Sequence, residues 1–153
     1  MGFADAYLRK AGLRDRLIDT QPHPDLKIIV TIPVYNESGL ERCLDSLFQC
    51  TAAGGLRTEV IVLINAPAEG APEDSEAFKA ILAQNVATYE AAVAWIAAHP
   101  HPFIDFHLLM DHSFPKKEAG VGLARKILMD EAVRRFNVVG AEDGIIASMD
   151  ADA

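Results

Sequence analysis

The sequence is poor in cysteine and in basic residues, and it contains no apolar run long enough to span a bilayer. Its two cysteines, Cys43 and Cys50, fall on one predicted helix without a Cys or His pair nearby at zinc-site spacing, so we expect reduced thiols. Lys and Arg total 14 against 22 for Asp and Glu, and this net charge of -8 argues against a nucleic-acid binder. A membrane span needs roughly 20 apolar residues, and neither such a run nor a signal peptide is present. We therefore expect a cytoplasmic chain without a membrane segment; a peripheral position at the inner face of a membrane is the alternative.

Half of the 153 residues are hydrophobic, which fits one packed domain. Residues 1–25 predict a helical appendage and linker, with a helix over 3–18 and a break at Pro22 and Pro24. The main domain is expected over residues 26–153.

In that domain, four apolar segments rich in β-branched residues alternate with three segments of helical periodicity. The predicted strands cover 26–32, 59–64, 103–110 and 144–149, and the predicted helices run from about 38 to 50, 75 to 98 and 118 to 135. This alternation predicts an α/β fold, a parallel sheet with helices on both faces. Ligands of such sheets bind at the carboxyl ends of the strands, so the residues that follow each strand are the candidates for a site.

Asp150-Ala151-Asp152 directly follows the fourth predicted strand, an apolar segment that we expect to be buried. Two carboxylates one residue apart at a strand end can turn the same way and offer oxygen ligands to Mg²⁺ or Mn²⁺. A metal held there would neutralise a departing diphosphate. An acidic surface turn is the weaker interpretation, because the pair stands at the end of the fourth strand of an ordered pattern.

Pro33-Val34-Tyr35-Asn36-Glu37 closes the first predicted strand. An aromatic ring at a strand end can stack on a nucleobase, and Asn or Glu can hydrogen-bond a base or a ribose. Pro33 and Asn36 are also compatible with a simple turn that ends the strand. Tyr35 is the residue that such a turn explains least.

Gly120 and Gly122 stand in the first turn of the third main-domain helix, where each weakens the helix by roughly 1 kcal/mol relative to alanine. Two explanations carry nearly equal weight: close approach of a ligand, or tight packing of the helix on the sheet. In the first case the helix N-terminus and Arg125 would face an anionic ligand.

In their order and spacing, these motifs resemble those of glycosyltransferase family 2, the inverting enzymes with a GT-A fold. The matching segments are Pro33-Val34-Tyr35-Asn36-Glu37, Gly122-Leu123-Ala124-Arg125 and Met149-Asp150-Ala151-Asp152-Ala153. The resemblance extends from Leu26 to the C-terminus and implies a Rossmann-like sheet of GT-A type, truncated after its fourth strand. It also implies a nucleotide-diphosphate sugar as donor, a UDP-sugar first, and inverting transfer to the hydroxyl of an unidentified acceptor.

The resemblance further implies roles for single residues. Tyr35 would lie against the base of the donor, and Pro33 and Glu37 belong to the same nucleotide-binding segment. Arg125 would line the nucleotide pocket. Asn65 stands where many members carry an Asp-Asp-Gly-Ser-like turn after the second strand, and its amide can still hydrogen-bond a base.

For the metal, the resemblance implies Mn²⁺ or Mg²⁺ held by Asp152 together with Asp150, which would also face the ribose and the diphosphate. The family's acceptor site and catalytic base lie downstream of this motif, whereas this sequence ends at Ala153. We therefore expect a donor-binding fragment that has no catalytic base and transfers sugar poorly alone. The alternatives are a sugar-1-phosphate nucleotidyltransferase, which needs a Gly-rich basic loop absent after the first strand, and a non-catalytic α/β binding module.

Overall fold

A computed structural model of the chain describes residues 2–11, 17–49, 56–68, 75–114 and 121–152. The elements within these ranges are α1 (Asp5–Ala11), β1 (Leu26–Val34), α2 (Leu40–Gln49), β2 (Arg57–Pro67), α3 (Ser75–Ala98), β3 (Ile104–Phe114), α4 (Val121–Val139) and β4 (Ile145–Ser148). None of these helices combines the length and apolarity that crossing a bilayer requires.

The four strands form one parallel sheet in the order β3-β2-β1-β4. The predicted α/β fold with a parallel Rossmann-like sheet is therefore confirmed. From β1 the chain moves outward through β2 to β3, and it then returns to place β4 on the other side of β1. The carboxyl ends of β1 and β4 consequently flank the point where the strand order reverses, which is where open α/β sheets bind their ligands.

Each face of the sheet has its own apolar core, because successive residues of a strand point to opposite faces. Val30 and Ile32 of β1 face α2 and α3, where Leu44 is fully buried. Ile29 of β1 faces the other side and packs with Leu128 of α4. Helices on both faces thus follow from strands that are apolar on both faces.

Three strands end later than the sequence predicted. β1 continues through Pro33, and β2 and β3 run on to Pro67 and Phe114, with polar Asn65 and Asp111 paired in register. Polar residues are tolerated there because the neighbouring strand still completes the backbone ladder. The Thr31 carbonyl accepts from Met149 and so faces β4, and Pro33, two residues on, turns its nitrogen to the same side beyond the end of β4, where it removes no ladder bond.

The fourth strand corrects another expectation, because β4 is not buried. Its side chains are mostly exposed, and Ile145 keeps 61% of its surface accessible. Among the described strands only β1 pairs with β4, so β4 forms an edge of the sheet. An apolar, β-branched segment predicts a strand, but it does not reveal whether another element covers it.

The N-terminal segment packs on α4. The predicted helix over 3–18 is described as α1, residues 12–16 lie outside the described residues, and Ile18 is no longer helical. The Tyr7 hydroxyl donates to Asp130 of α4 at 2.6 Å, and the buried Ile18 joins the core on that side of the sheet.

Candidate active site

The carboxyl ends of β1 and β4 lie side by side. The ladder between them reaches Ser148, and the next amide, that of Met149, donates to the Thr31 carbonyl at 2.9 Å. The Asp150 carbonyl accepts a 4.0 Å contact from the thiol of Cys43 on α2. Burial raises the pKa of that thiol, so it stays protonated and able to donate. The backbone that leads into the acidic motif is therefore held between β1 and α2.

The acidic motif has a buried centre and exposed flanks. Ala151 is buried and packs in the core formed with α2 and α3, whereas Asp150 and Asp152 are both exposed. A small apolar residue fits this buried position, and its packing fixes how the short segment turns. Both carboxylates are thereby left accessible to a ligand at the end of β4.

Arg125 and Asp150 form an ion pair, with Arg125 Nη2 donating to Asp150 Oδ1 at 2.7 Å. Arg125 lies near the start of α4, and the two side chains are 48% and 59% exposed. Exposed pairs of this kind contribute only about 0–1 kcal/mol to stability. The pair therefore exposes a cation and an anion to solvent at the carboxyl edge of the sheet, and it contributes little to the stability of the fold.

The turn after β1 presents Tyr35 to solvent, with 41% of its surface exposed. Asn36 has a φ of 50° and is the one non-glycine residue with a positive φ in the described part of the chain. Glu37 is half-buried, and its carbonyl accepts from the hydroxyl of Thr88 on α3 at 2.6 Å. Pro33, by contrast, is buried in β1.

Asn65 is buried beneath this turn, with 1% of its surface exposed. Its Nδ2 donates to the Val34 carbonyl at 2.9 Å, while its Oδ1 is buried without a hydrogen-bond partner among the described residues. The side chain thus ties β2 to β1 and leaves one acceptor unused. A buried acceptor without a donor costs about 1–3 kcal/mol, so this oxygen needs an explanation.

Sequence reasoning missed two polar side chains of α3 that lie under the same turn. Asn85 and Thr88 are buried, and with Ala92 they form the inward stripe of the helix at positions spaced by three and four residues. A polar pair on the buried stripe of a helix was the signal available in the sequence. Their partners, Asn36 and Glu37, lie about fifty residues earlier and could not be identified from it.

Gly122 is exposed, and a Cβ added there would meet nothing within 4 Å. Tight packing of the helix on the sheet is therefore the wrong explanation for this glycine, whereas Gly120 lies outside the described residues. Within the described ranges, no three His, Cys, Asp or Glu side chains gather as a metal-binding group. The two carboxylates of the acidic motif supply hard oxygen ligands only, which suits Mg²⁺ or Mn²⁺ with open positions for phosphate oxygens and water.

Thus the structure brings Arg125 and Asp150 into contact, exposes Tyr35 and Asp152, and buries Pro33 and Asn65. Comparison with protein-family models, with curated proteins and with solved structures found no match.

Proposed function

We propose that this chain binds a nucleotide-diphosphate sugar where β1 and β4 end, as the donor-binding part of a family 2-like inverting glycosyltransferase. The observation that carries the proposal is the exposed Arg125–Asp150 ion pair, 2.7 Å long, at the point where the strand order reverses. The pair joins two of the three motifs on which the family resemblance depends. It adds little to stability, so a ligand role explains it better than a structural one.

The diphosphate needs positive charge, which this acidic chain supplies sparingly. Arg125 provides one cation, and the N-terminal end of α4 adds the partial positive charge of its free amides. Asp150 and Asp152 would hold Mn²⁺ or Mg²⁺, which when bound neutralises the charge that develops on the leaving diphosphate. Arg125 then has two roles: it neutralises Asp150 in the free protein and contacts phosphate in the complex.

The nucleoside is proposed to lie on the turn after β1. The exposed ring of Tyr35 offers a face for stacking a base. Asn65 supports this turn from below through the bond from its Nδ2 to the Val34 carbonyl, while its Oδ1 is buried out of reach of a base stacked on Tyr35. Stacking on Tyr35 is open to any nucleobase, so the choice of UDP rests on the family resemblance.

The test is a calorimetric titration of the chain with UDP, with and without Mn²⁺. We expect binding that requires Mn²⁺ and that Asp152→Asn or Arg125→Ala weakens about tenfold to a hundredfold, since a bond to a charged group contributes about 1.5–3 kcal/mol. Asp143→Asn is the matched control, because Asp143 is exposed and pairs with Lys27 at 3.0 Å next to the opposite end of β4. Binding that is independent of metal, or unchanged by Asp152→Asn, would contradict the proposal. Pyrophosphate release from a nucleoside triphosphate and a sugar phosphate would favour a nucleotidyltransferase instead.

A further inference from the structure

One fully buried side chain of α3, that of Asn85, contacts the ends of three neighbouring strands. Its Oδ1 accepts from the backbone amide of Asn36, after β1, at 2.9 Å. Its Nδ2 donates to the backbone carbonyl of Asn65 in β2 at 3.0 Å and lies 3.2 Å from Nε2 of His112 in β3. A single amide group thus fixes the relative positions of the three carboxyl ends.

The partners determine how this amide is oriented. The Asn36 N–H can only donate and the Asn65 C=O can only accept, so exchanging the oxygen and nitrogen of Asn85 would break both bonds. With Nδ2 turned toward His112, Nε2 of that ring must accept, which requires a neutral imidazole with its proton on Nδ1. The orientation of Asn85 and the protonation state of His112 are therefore linked.

The bond to Asn36 matters because that residue has a φ of 50°, in the left-handed region that side chains other than glycine disfavour. A buried acceptor aimed at its amide stabilises this conformation. Thr88, one helical turn after Asn85, holds the next carbonyl, that of Glu37, at 2.6 Å. Together the two α3 side chains hold the turn that presents Tyr35.

We propose that Asn85 is a positioning residue of the nucleotide site: its amide holds the Tyr35–Glu37 turn in the binding conformation, and its contact with His112 makes that conformation depend on the protonation of His112. The identity of the ligand rests on the function proposed above. The coupling between Asn85, Asn36 and His112 is a property of the free protein and does not depend on it.

Acid is expected to disrupt this arrangement. Burial lowers the pKa of His112, against the opposing effect of the charge on Asp111 beside it on β3. Asp111 is the charged group that acts on the ring, and Asn85 of α3 contacts the ring through an uncharged amide. Since the folded pKa is depressed, the stabilisation is present above the ordinary pKa of histidine and is lost as the pH falls through the lowered value. Protonated His112 would set a second donor against Nδ2 of Asn85.

The first experiment uses the free protein and NMR. We expect the Asn36 amide to exchange with solvent about twofold to tenfold faster in Asn85→Ala, because a hydrogen bond contributes about 0.5–1.5 kcal/mol. Val86→Ala, at an exposed position of the same helix, is the control, and it should leave both Asn36 exchange and the His112 titration unchanged. A folded Asn85→Ala chain with wild-type exchange at Asn36 would overturn the inference.

Asn85→Asp provides the second readout if Asn85→Ala does not fold. The aspartate keeps an acceptor for Asn36 but sets a carboxylate oxygen against His112, so we expect the pKa of His112 to rise above its wild-type value. An unchanged His112 pKa in Asn85→Asp would overturn the inference, because it would show that the side chain at position 85 does not contact the His112 ring.

The third readout is UDP binding in the presence of Mn²⁺ as a function of pH. We expect wild-type affinity to fall by about tenfold as His112 becomes protonated, which corresponds to about 1.4 kcal/mol. His112→Asn should remove this decline, whereas His23→Asn, at a surface histidine, should retain it. A decline that persists in His112→Asn would count against the inference. If the wild-type chain binds no nucleotide at any pH, the proposed function fails, and the two NMR readouts still decide the role of Asn85.

Discussion

The buried ion pair between Arg135 of α4 and Glu59 of β2 allows a sharp test of what holds α4 to the sheet. Two parallel bonds join the side chains, from Nε to Oε1 at 2.6 Å and from Nη2 to Oε2 at 2.7 Å. Both side chains are almost fully buried, at 1% and 2% exposure. Arg135 also donates from Nη1 to the Thr20 carbonyl at 2.8 Å, so it links α4, the sheet and the N-terminal segment.

Removing one partner leaves the other charge buried without the group that makes two hydrogen bonds to it. We therefore expect Arg135→Met and Glu59→Gln each to lower the free energy of unfolding by about 3–5 kcal/mol. A domain of this kind is stable by about 5–15 kcal/mol, so either change removes a large fraction of the total. The double variant Glu59→Leu with Arg135→Met exchanges the pair for apolar side chains and should be more stable than either single variant.

The measurement is urea denaturation followed by circular dichroism, for the wild type, both single variants and the double variant. Burial alone would raise the pKa of Glu59, but the two hydrogen bonds and the charge of Arg135, with His107 Nε2 3.6 Å away, outweigh it and leave that pKa below its ordinary value. The wild-type chain should therefore lose this contribution as the pH falls through the lowered pKa of Glu59, and Glu59→Gln should remove this acid dependence. Single variants within about 1 kcal/mol of the wild type would refute the reasoning, since a buried unpaired charge would then be tolerated.

The remaining predictions concern single side chains and use the same denaturation assay. Gly122→Ala should stabilise the chain by about 0.5–1 kcal/mol, because the added methyl group meets nothing within 4 Å and alanine favours the helix. Gly140→Ala is the matched opposite: Gly140 has a φ of 70° after the end of α4, so the same change should destabilise by about 1–2 kcal/mol. Gly144→Ala should also destabilise, because its Cβ would come within 2.6 Å of the Phe136 ring. Arg125→Ala should change stability by less than about 1 kcal/mol, since its ion pair is exposed. These assignments would be contradicted if Gly122→Ala and Gly140→Ala changed the free energy of unfolding in the same direction, or if Arg125→Ala lowered it by much more than about 1 kcal/mol.

The fold was predictable where local signals agreed. The long helix over 75–98 has the same bounds in the structure, because prolines flank the periodic segment on both sides. The ends of the strands were less predictable. β2 continues past Asn65 because its backbone pairs with β3 there. The sequence around Asn65 does not indicate that pairing. The exposure of β4 depends likewise on what lies beside it, which an apolar run cannot specify.

In the candidate site, too, local sequence features were predictable and contacts with distant segments were not. Arg125 and Asp150 were predicted from their places in an ordered series of motifs, and the structure brings them together. Asn85 was not predicted, because it acts through contacts with distant segments. Sequence motifs identify the residues that face a ligand. They do not identify the buried residues that hold those residues in position.

The site therefore combines two parts with different physical properties. The Tyr35 turn is held from below by buried hydrogen bonds to Asn85 and Thr88, so changes there should affect stability and ligand binding together. The Arg125–Asp150 pair is exposed and contributes little to the fold, so its partners can exchange for phosphate and metal at low cost. A rigid surface for the base beside an adaptable pair for the diphosphate is the arrangement that the proposed donor requires, because the base must be recognised by shape while the charge on the diphosphate changes during transfer.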